Sequence, residues 1–206
     1  MTSDHAEPVI IDAQAVRAWD RPPSSDEVSA RLVVATERTD RAPMTPAALV
    51  ATVDLTTLEG SDTPDGVARL SRRAIAPDGP GAGLGPTAAV CVYPSLVPAA
   101  VAATRDSPVL VASVAGAFPS GQSPLPVRLA DIAAAVAAGA DEIDIVLNRS
   151  AFLSGDLATV TGDVAASVAA AAGRPVKVIL EVGELVTPAA IHTAALLAMA
   201  AGAGFV

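Results

Sequence analysis

Glu142-Ile-Asp-Ile-Val-Leu147 and Val176-Lys-Val-Ile-Leu-Glu-Val182 are two apolar, β-branched runs, each interrupted by charged residues. Between them lies Asp156–Ala172, a stretch rich in alanine and valine and long enough for a helix. A strand, a helix and a second strand of this kind form a parallel crossover unit, buried on both faces. Working outward, the pattern repeats. Further strands are expected at Val50–Asp54, Ala88–Tyr93 and Val109–Val114, with helices at Thr63–Ile75, Val97–Ala103, Pro126–Ala138 and Pro188–Ala201. Leu129, Ile132, Ala133 and Val136 carry the i, i+3, i+4, i+7 spacing of a helix that buries one face. Asp62-Thr63-Pro64 and Thr187-Pro188 are helix starts, and Pro77–Pro86 is a Gly/Pro-rich loop. The phrase Ala138-Gly-Ala140 closes one helix before a strand and returns at Ala201-Gly-Ala203. Gly204-Phe205-Val206 should therefore open a sixth strand.

Repeated units of this kind build an α/β fold, either an open doubly wound sheet or a closed barrel. No GxGxxG or GxxxxGK[ST] follows the first strand, which removes the common nucleotide-binding open sheets and favours the barrel. Composition agrees. The chain is 51% hydrophobic but 2% aromatic, so its core must be built from Ala, Val, Leu and Ile. Its net charge of −9, without a basic run, excludes nucleic acid as a partner. Cys91 is the single cysteine, so there is no disulfide framework and no zinc-ligand spacing. Thr187–Val206 lacks charged side chains and is long enough to span a bilayer. It is nonetheless Ala-rich, contains His192 and opens with a helix-start pair, so a soluble, cytoplasmic protein with no membrane partner is expected. Residues 1–45, with Trp19, Pro22-Pro23 and an amphipathic segment at Ser25–Thr39, read as an N-terminal extension, leaving 46–206 as the main domain.

Alternation along the strands singles out the chemistry. Asp144 is opposite in phase to Ile143 and Ile145, and Lys177, Ile179 and Glu181 share one face of their strand. A charge inside an apolar strand needs a partner, and adjacent strands lie about 4.8 Å apart, so Asp144 and Lys177 can serve each other. Lys177 is also the only lysine; the other basic residues are arginines, which form no imine. A desolvated lysine is a nucleophile or proton carrier. A structural ion pair filling a barrel interior accounts for the same spacing equally well. Asp54, at the end of Val-Asp-Leu-Thr-Thr-Leu, reads on its own as a loop-capping carboxylate, and Cys91 as a small buried hydrophobe. His5 and His192 show no ligand spacing. Glu181 and Glu184 flank a strand end without any further metal-binding cluster.

Four separated motifs carry a resemblance: Asp54-Leu-Thr-Thr-Leu58, Ala89-Val-Cys-Val-Tyr-Pro94, Ala138-Gly-Ala-Asp-Glu-Ile-Asp-Ile-Val146 and Lys177-Val-Ile-Leu-Glu-Val-Gly-Glu-Leu185. In order and spacing they resemble the deoxyribose-phosphate aldolase family, as does Ala112–Gly121, over Leu49–Val206. The resemblance implies a (β/α)₈ TIM barrel, of which this chain holds the first five βα units and the start of strand six. It implies a class I aldolase (a carbon–carbon lyase) that needs no metal or other cofactor. Such an enzyme cleaves 2-deoxy-D-ribose 5-phosphate to acetaldehyde and D-glyceraldehyde 3-phosphate through a lysine imine, so its partners are a small phosphorylated sugar and aldehydes. By the same resemblance Asp144 is the catalytic aspartate that relays protons, Lys177 a motif lysine that organises the site, and Asp54, Thr56 and Cys91 line the substrate pocket.

One departure accompanies the match. In the family the phrase corresponding to Ala201-Gly-Ala-Gly-Phe-Val206 is followed at once by the imine-forming lysine, and Gly204 stands where the family has aspartate. As written, the chain is expected to lack the imine lysine and the later phosphate-binding loops, and to be inactive alone. Its incomplete sheet should expose an apolar edge and self-associate as a homo-oligomer. The alternative is a noncatalytic barrel fragment that acts as a scaffold or is complemented by a partner chain.

Overall fold

The computed structural model describes residues 24–41, 44–79, 81 and 83–206. The expectations for His5, Trp19 and Pro22-Pro23 lie outside these residues. Helix α1 (Ser25–Arg41) and the short α2 (Pro46–Val50) precede β1 (Asp54–Thr56) and α3 (Pro64–Ile75). Then follow β2 (Ala89–Val92), a 3₁₀ turn at Pro94–Leu96, α4 (Val97–Thr104), β3 (Leu110–Val114) and α5 (Leu125–Ala137). The chain continues through β4 (Glu142–Val146), α6 (Arg149–Leu153), α7 (Leu157–Ala170), β5 (Val176–Ile179), α8 (Val182–Leu185) and α9 (Pro188–Ala200).

Among the described residues the five strands are all parallel and lie side by side in the order β1-β2-β3-β4-β5. Each crossover therefore advances one place in the same direction, whereas a doubly wound sheet would reverse partway. The sheet is also strongly curved. On a flat sheet β1 and β5 would stand about 19 Å apart, four inter-strand spacings, farther than two side chains can span. Yet Lys177 Nζ on β5 bonds Asp54 Oδ2 on β1 at 2.7 Å. Past α9, Phe205 forms a parallel bridge with Lys177, and Val178 N donates to Phe205 O at 3.0 Å, so pairing beyond β5 has begun where a sixth strand was expected.

Alternation along the strands produces two separate apolar layers. The outer layer joins Val90, Val92, Val111, Ile143, Ile145, Val176 and Val178 to the inward faces of the flanking helices, including Val67, Ala100, Ile132, Val164 and Leu197. Burying a Val, Leu or Ile fully contributes roughly 1.5–3 kcal/mol, so this layer carries most of the apolar stabilisation. The inner layer is small: Ala89, Cys91, Ala112 and Val114, flanked by Leu58, Tyr93 and Phe118. Short side chains on that face leave room for longer polar ones beside them.

Several boundaries depart from the sequence pattern. Val50–Asp54 is not a strand: Thr45 Oγ1 caps Ala48 N and Pro46 opens α2, so Val50 ends a helix and β1 starts only at Asp54. The expectation that Glu181 continues the face of Lys177 fails, because Glu181 has φ +58 and the strand stops at Ile179. On α5 the buried stripe is Arg128, Ile132 and Ala135, while Ala133 faces solvent. Here the Arg128 guanidinium is drawn inward by a buried carboxylate, Asp163, at 2.5 Å, which also accepts from Asn148 Nδ2 at 2.8 Å.

The repeated Ala-Gly-Ala phrase has a common cause. Gly139 and Gly202 follow α5 and α9 with φ of +105 and +97, and the next amides, Ala140 and Ala203, donate to Ala135 O and Ala198 O. This left-handed closure favours glycine and turns each chain directly into the next extended segment. The expected caps also form: Thr63 Oγ1 accepts from Gly66 N and Thr187 Oγ1 from Ala190 N, both at 3.2 Å. Among the described residues no helix is long and apolar enough to cross a membrane.

Candidate active site

The inner face of the curved sheet gathers every charged strand residue. Pairing register sets Thr56 beside Cys91, Cys91 beside Ala112, Ala112 beside Glu142, and Asp144 beside Lys177. Residues two apart on one strand share a face, so Glu142 and Asp144 both point inward from β4. From β5 the Lys177 side chain reaches across the small residues of β2 and β3 toward β1.

Its ammonium is surrounded by three carboxylates from two other strands. Lys177 Nζ lies 2.7 Å from Asp54 Oδ2, is bonded to Glu142 Oε1, and stands 3.4 and 3.5 Å from the two oxygens of Asp144. The ring of Phe205 lies 5.7 Å from Nζ, within cation–π range. Cys91 Sγ is 3.9 Å from Asp144 Oδ2, a weak contact from a donor with little acidity. Asp144 is the most enclosed carboxylate of the three, its side chain 9% exposed against 13% for Glu142 and 30% for Asp54.

These distances give the groups different protonation behaviour. Burial pushes the Asp144 carboxyl up from 3.8 to about 6; the charge of Lys177 pulls it down, and those of Glu142 and Asp54 push it up. Burial lowers the proton affinity of Lys177, but its hydrogen bonds to Asp54 and Glu142 and the charge of Asp144 outweigh that, so it is held protonated above its usual range. Burial, then the charge of Asp144, pushes the Cys91 thiol up to about 12. The cluster therefore combines a fixed cation, a neutral thiol and one carboxyl that gains or loses a proton near neutrality. A carboxyl with that affinity, next to a fixed positive charge, suits general acid–base work at physiological pH.

The structure brings together Asp54, Cys91, Asp144 and Lys177 from the sequence candidates. Asp54 does not cap a loop; that task falls to Asp62, which accepts from Thr57 Oγ1 and Glu59 N at 2.9 Å. Thr56 shares the inner face, but its hydroxyl donates to the Asp54 carbonyl at 2.9 Å rather than into the cluster. Glu181 and Glu184 are exposed, and among the described residues no three His, Cys, Asp or Glu side chains are disposed to hold a metal ion. The sequence reading missed Glu142, which sits in the middle of the cluster. Its signal was available: in Glu-Ile-Asp it has the same phase as Asp144.

The model of the DeoC/LacD family aldolases matches residues 48–206. The human deoxyribose-phosphate aldolase is 39% identical over 168 residues, covering 76% of this chain and 52% of that protein. The deoxyribose-phosphate aldolase of Agrobacterium fabrum is 40% identical over 157 residues, covering 75% and 58%. The chain thus spans little more than half the length of these curated relatives. Among solved structures, the tetrameric deoxyribose phosphate aldolase of Aeropyrum pernix superposes with a TM-score of 0.65 at 26% identity, covering 89% of this chain and 70% of that one.

Proposed function

The chain belongs to the DeoC/LacD aldolase family, and on that premise we propose that its inner-face cluster serves the cleavage of 2-deoxy-D-ribose 5-phosphate to acetaldehyde and D-glyceraldehyde 3-phosphate. The observation that carries the reading is a protonated Lys177 ringed by Asp54, Glu142 and Asp144 on the inner face of the sheet. In this reading Asp144 moves the protons that retro-aldol cleavage requires. Lys177 supplies a permanent positive charge that orients Asp144 and stabilises developing negative charge, and Asp54 and Cys91 shape the pocket wall. On the same reading residues 46–206 form the aldolase unit and residues 1–45 an extension outside it.

A class I aldolase also needs a neutral lysine to form the imine. Lys177 is the only lysine of the 206 residues, and three carboxylates hold it as an ammonium. The imine reading therefore requires a lysine from outside these residues, and the 206-residue chain by itself is expected to turn over no sugar phosphate. Two measurements test this. Treatment with acetaldehyde and borohydride should leave no adduct on Lys177 by peptide mapping; an adduct there would overturn the assignment of Lys177 as a fixed cation. A chimera in which residues 48–206 replace the matching half of the human relative should cleave deoxyribose 5-phosphate, and its Lys177→Met and Asp144→Asn variants should not. A folded chimera without turnover would refute the aldolase reading.

A further inference from the structure

Lys177 does not sit closest to its own register partner. Asp144 is paired with it across β4 and β5, yet Nζ is bonded to Asp54 and Glu142 and stays 3.4 Å or more from both Asp144 oxygens. Three carboxylates compete for one ammonium, and the most enclosed of them has the longest contacts. These contacts lie beyond the roughly 2.7–3.2 Å range of good N–H···O bonds, so Asp144 keeps only part of the neutralisation that a direct ion pair would give it.

We propose that Glu142 is a positioning residue: together with Asp54 it holds the Lys177 ammonium back from Asp144, leaving the Asp144 carboxyl under-neutralised and able to exchange a proton. The charged groups acting on Asp144 are Asp54 from β1, Glu142 from its own strand and Lys177 from β5, and the titratable Cys91 from β2 touches it at 3.9 Å. Val114, its β3 neighbour, carries no charge. Only Lys177 among these favours the ionised carboxyl by its charge, and Glu142 weakens that influence twice over. It adds a like charge on the same face, and it occupies a donor of the lysine. The local sequence makes the arrangement inescapable, because Glu-Ile-Asp on a strand puts both acids on one face.

The mechanistic weight of this rests on the aldolase reading, in which Asp144 carries protons; the titration itself does not. It is measured without substrate, by following the Asp144 carboxyl carbon by NMR in ¹³C-aspartate-labelled protein, with Asp144→Asn identifying the resonance. The parent midpoint is expected at about 6. In Glu142→Gln the freed ammonium closes on Asp144 and the like charge is gone, so the midpoint should fall by roughly one to two pH units. Glu142→Asp, which keeps the charge, should stay nearer the parent. Asp54→Asn removes the other competitor and should also lower the midpoint, giving a second route should Glu142→Gln fail to fold. A midpoint unchanged in both Glu142→Gln and Asp54→Asn overturns the proposal, as does an equal fall in Glu142→Asp and Glu142→Gln, which would assign the effect to packing. Failure of the chimera to cleave sugar phosphate would leave this titration untouched, so the two readings fail separately.

Discussion

Asp144→Asn should remove a pH dependence from the stability of this protein. The Asp144 carboxyl is shifted upward, from 3.8 to about 6, chiefly by burial. A raised carboxyl favours the folded state while protonated: its contribution is complete below 3.8 and is lost as pH rises through about 6. At roughly 1.4 kcal/mol per pH unit, a shift of about two units corresponds to about 3 kcal/mol. The parent should therefore lose about 3 kcal/mol of this contribution across that window, whereas an asparagine has no proton to release. The variant weakens the contacts of 3.4 and 3.5 Å to Lys177 and the 3.9 Å contact from Cys91 Sγ, a modest cost. Urea unfolding followed by far-UV circular dichroism, at several pH values between 4 and 7 and constant ionic strength, gives both stabilities. The difference, variant minus parent, should move in the variant's favour by about 3 kcal/mol as pH rises. Other carboxylates titrate in both proteins and largely cancel. A difference that is flat, or that moves against the variant, would refute the account of a buried, under-neutralised Asp144.

Four further outcomes can be checked with the same protein. Arg128→Leu leaves the buried Asp163 without its 2.5 Å partner and should cost about 3–5 kcal/mol in urea unfolding, most of it recovered in Arg128→Leu/Asp163→Leu; a loss below about 1 kcal/mol would show that the pair contributes little. Cys91 is 3% exposed with its thiol pushed up to about 12, so a disulfide reagent at mildly alkaline pH should modify it only after unfolding. Rapid reaction in the folded state would contradict that burial. Gly139→Ala would hold a side chain at φ +105 with Cβ 3.2 Å from Val101 Cγ2, and should destabilise by about 1 kcal/mol or more. Gly162→Ala, inside α7 with nothing within 4 Å, should stabilise by up to about 1 kcal/mol.

Much of this architecture was readable from short stretches. Thr63-Pro64 and Thr187-Pro188 start helices because a threonine oxygen accepts the first free amides, a contact spanning three residues. The two Ala-Gly-Ala phrases end helices because glycine alone enters the left-handed region cheaply. Strand positions from Ala89 to Ile179 followed from apolar, β-branched runs. Where local signals competed, the reading failed. Val50 looks like a strand residue, but Thr45 and Pro46 had already committed it to a helix. Glu181 keeps the alternation on paper, and the backbone leaves the strand before reaching it.

The sequence by itself determined a parallel strand–helix succession and a lysine and aspartate placed on one face of neighbouring strands, because alternation, capping and glycine closure act over a few residues. Tertiary structure alone decided what meets that lysine. Asp54 stands 123 positions away from Lys177, and the two touch only because the curvature of five strands brings β1 back toward β5. The inward turn of Arg128 on α5 likewise depends on a carboxylate from a different helix. Contacts of this kind arise from the summed geometry of the whole sheet and from which charges find a buried partner, and no short window of sequence contains that sum.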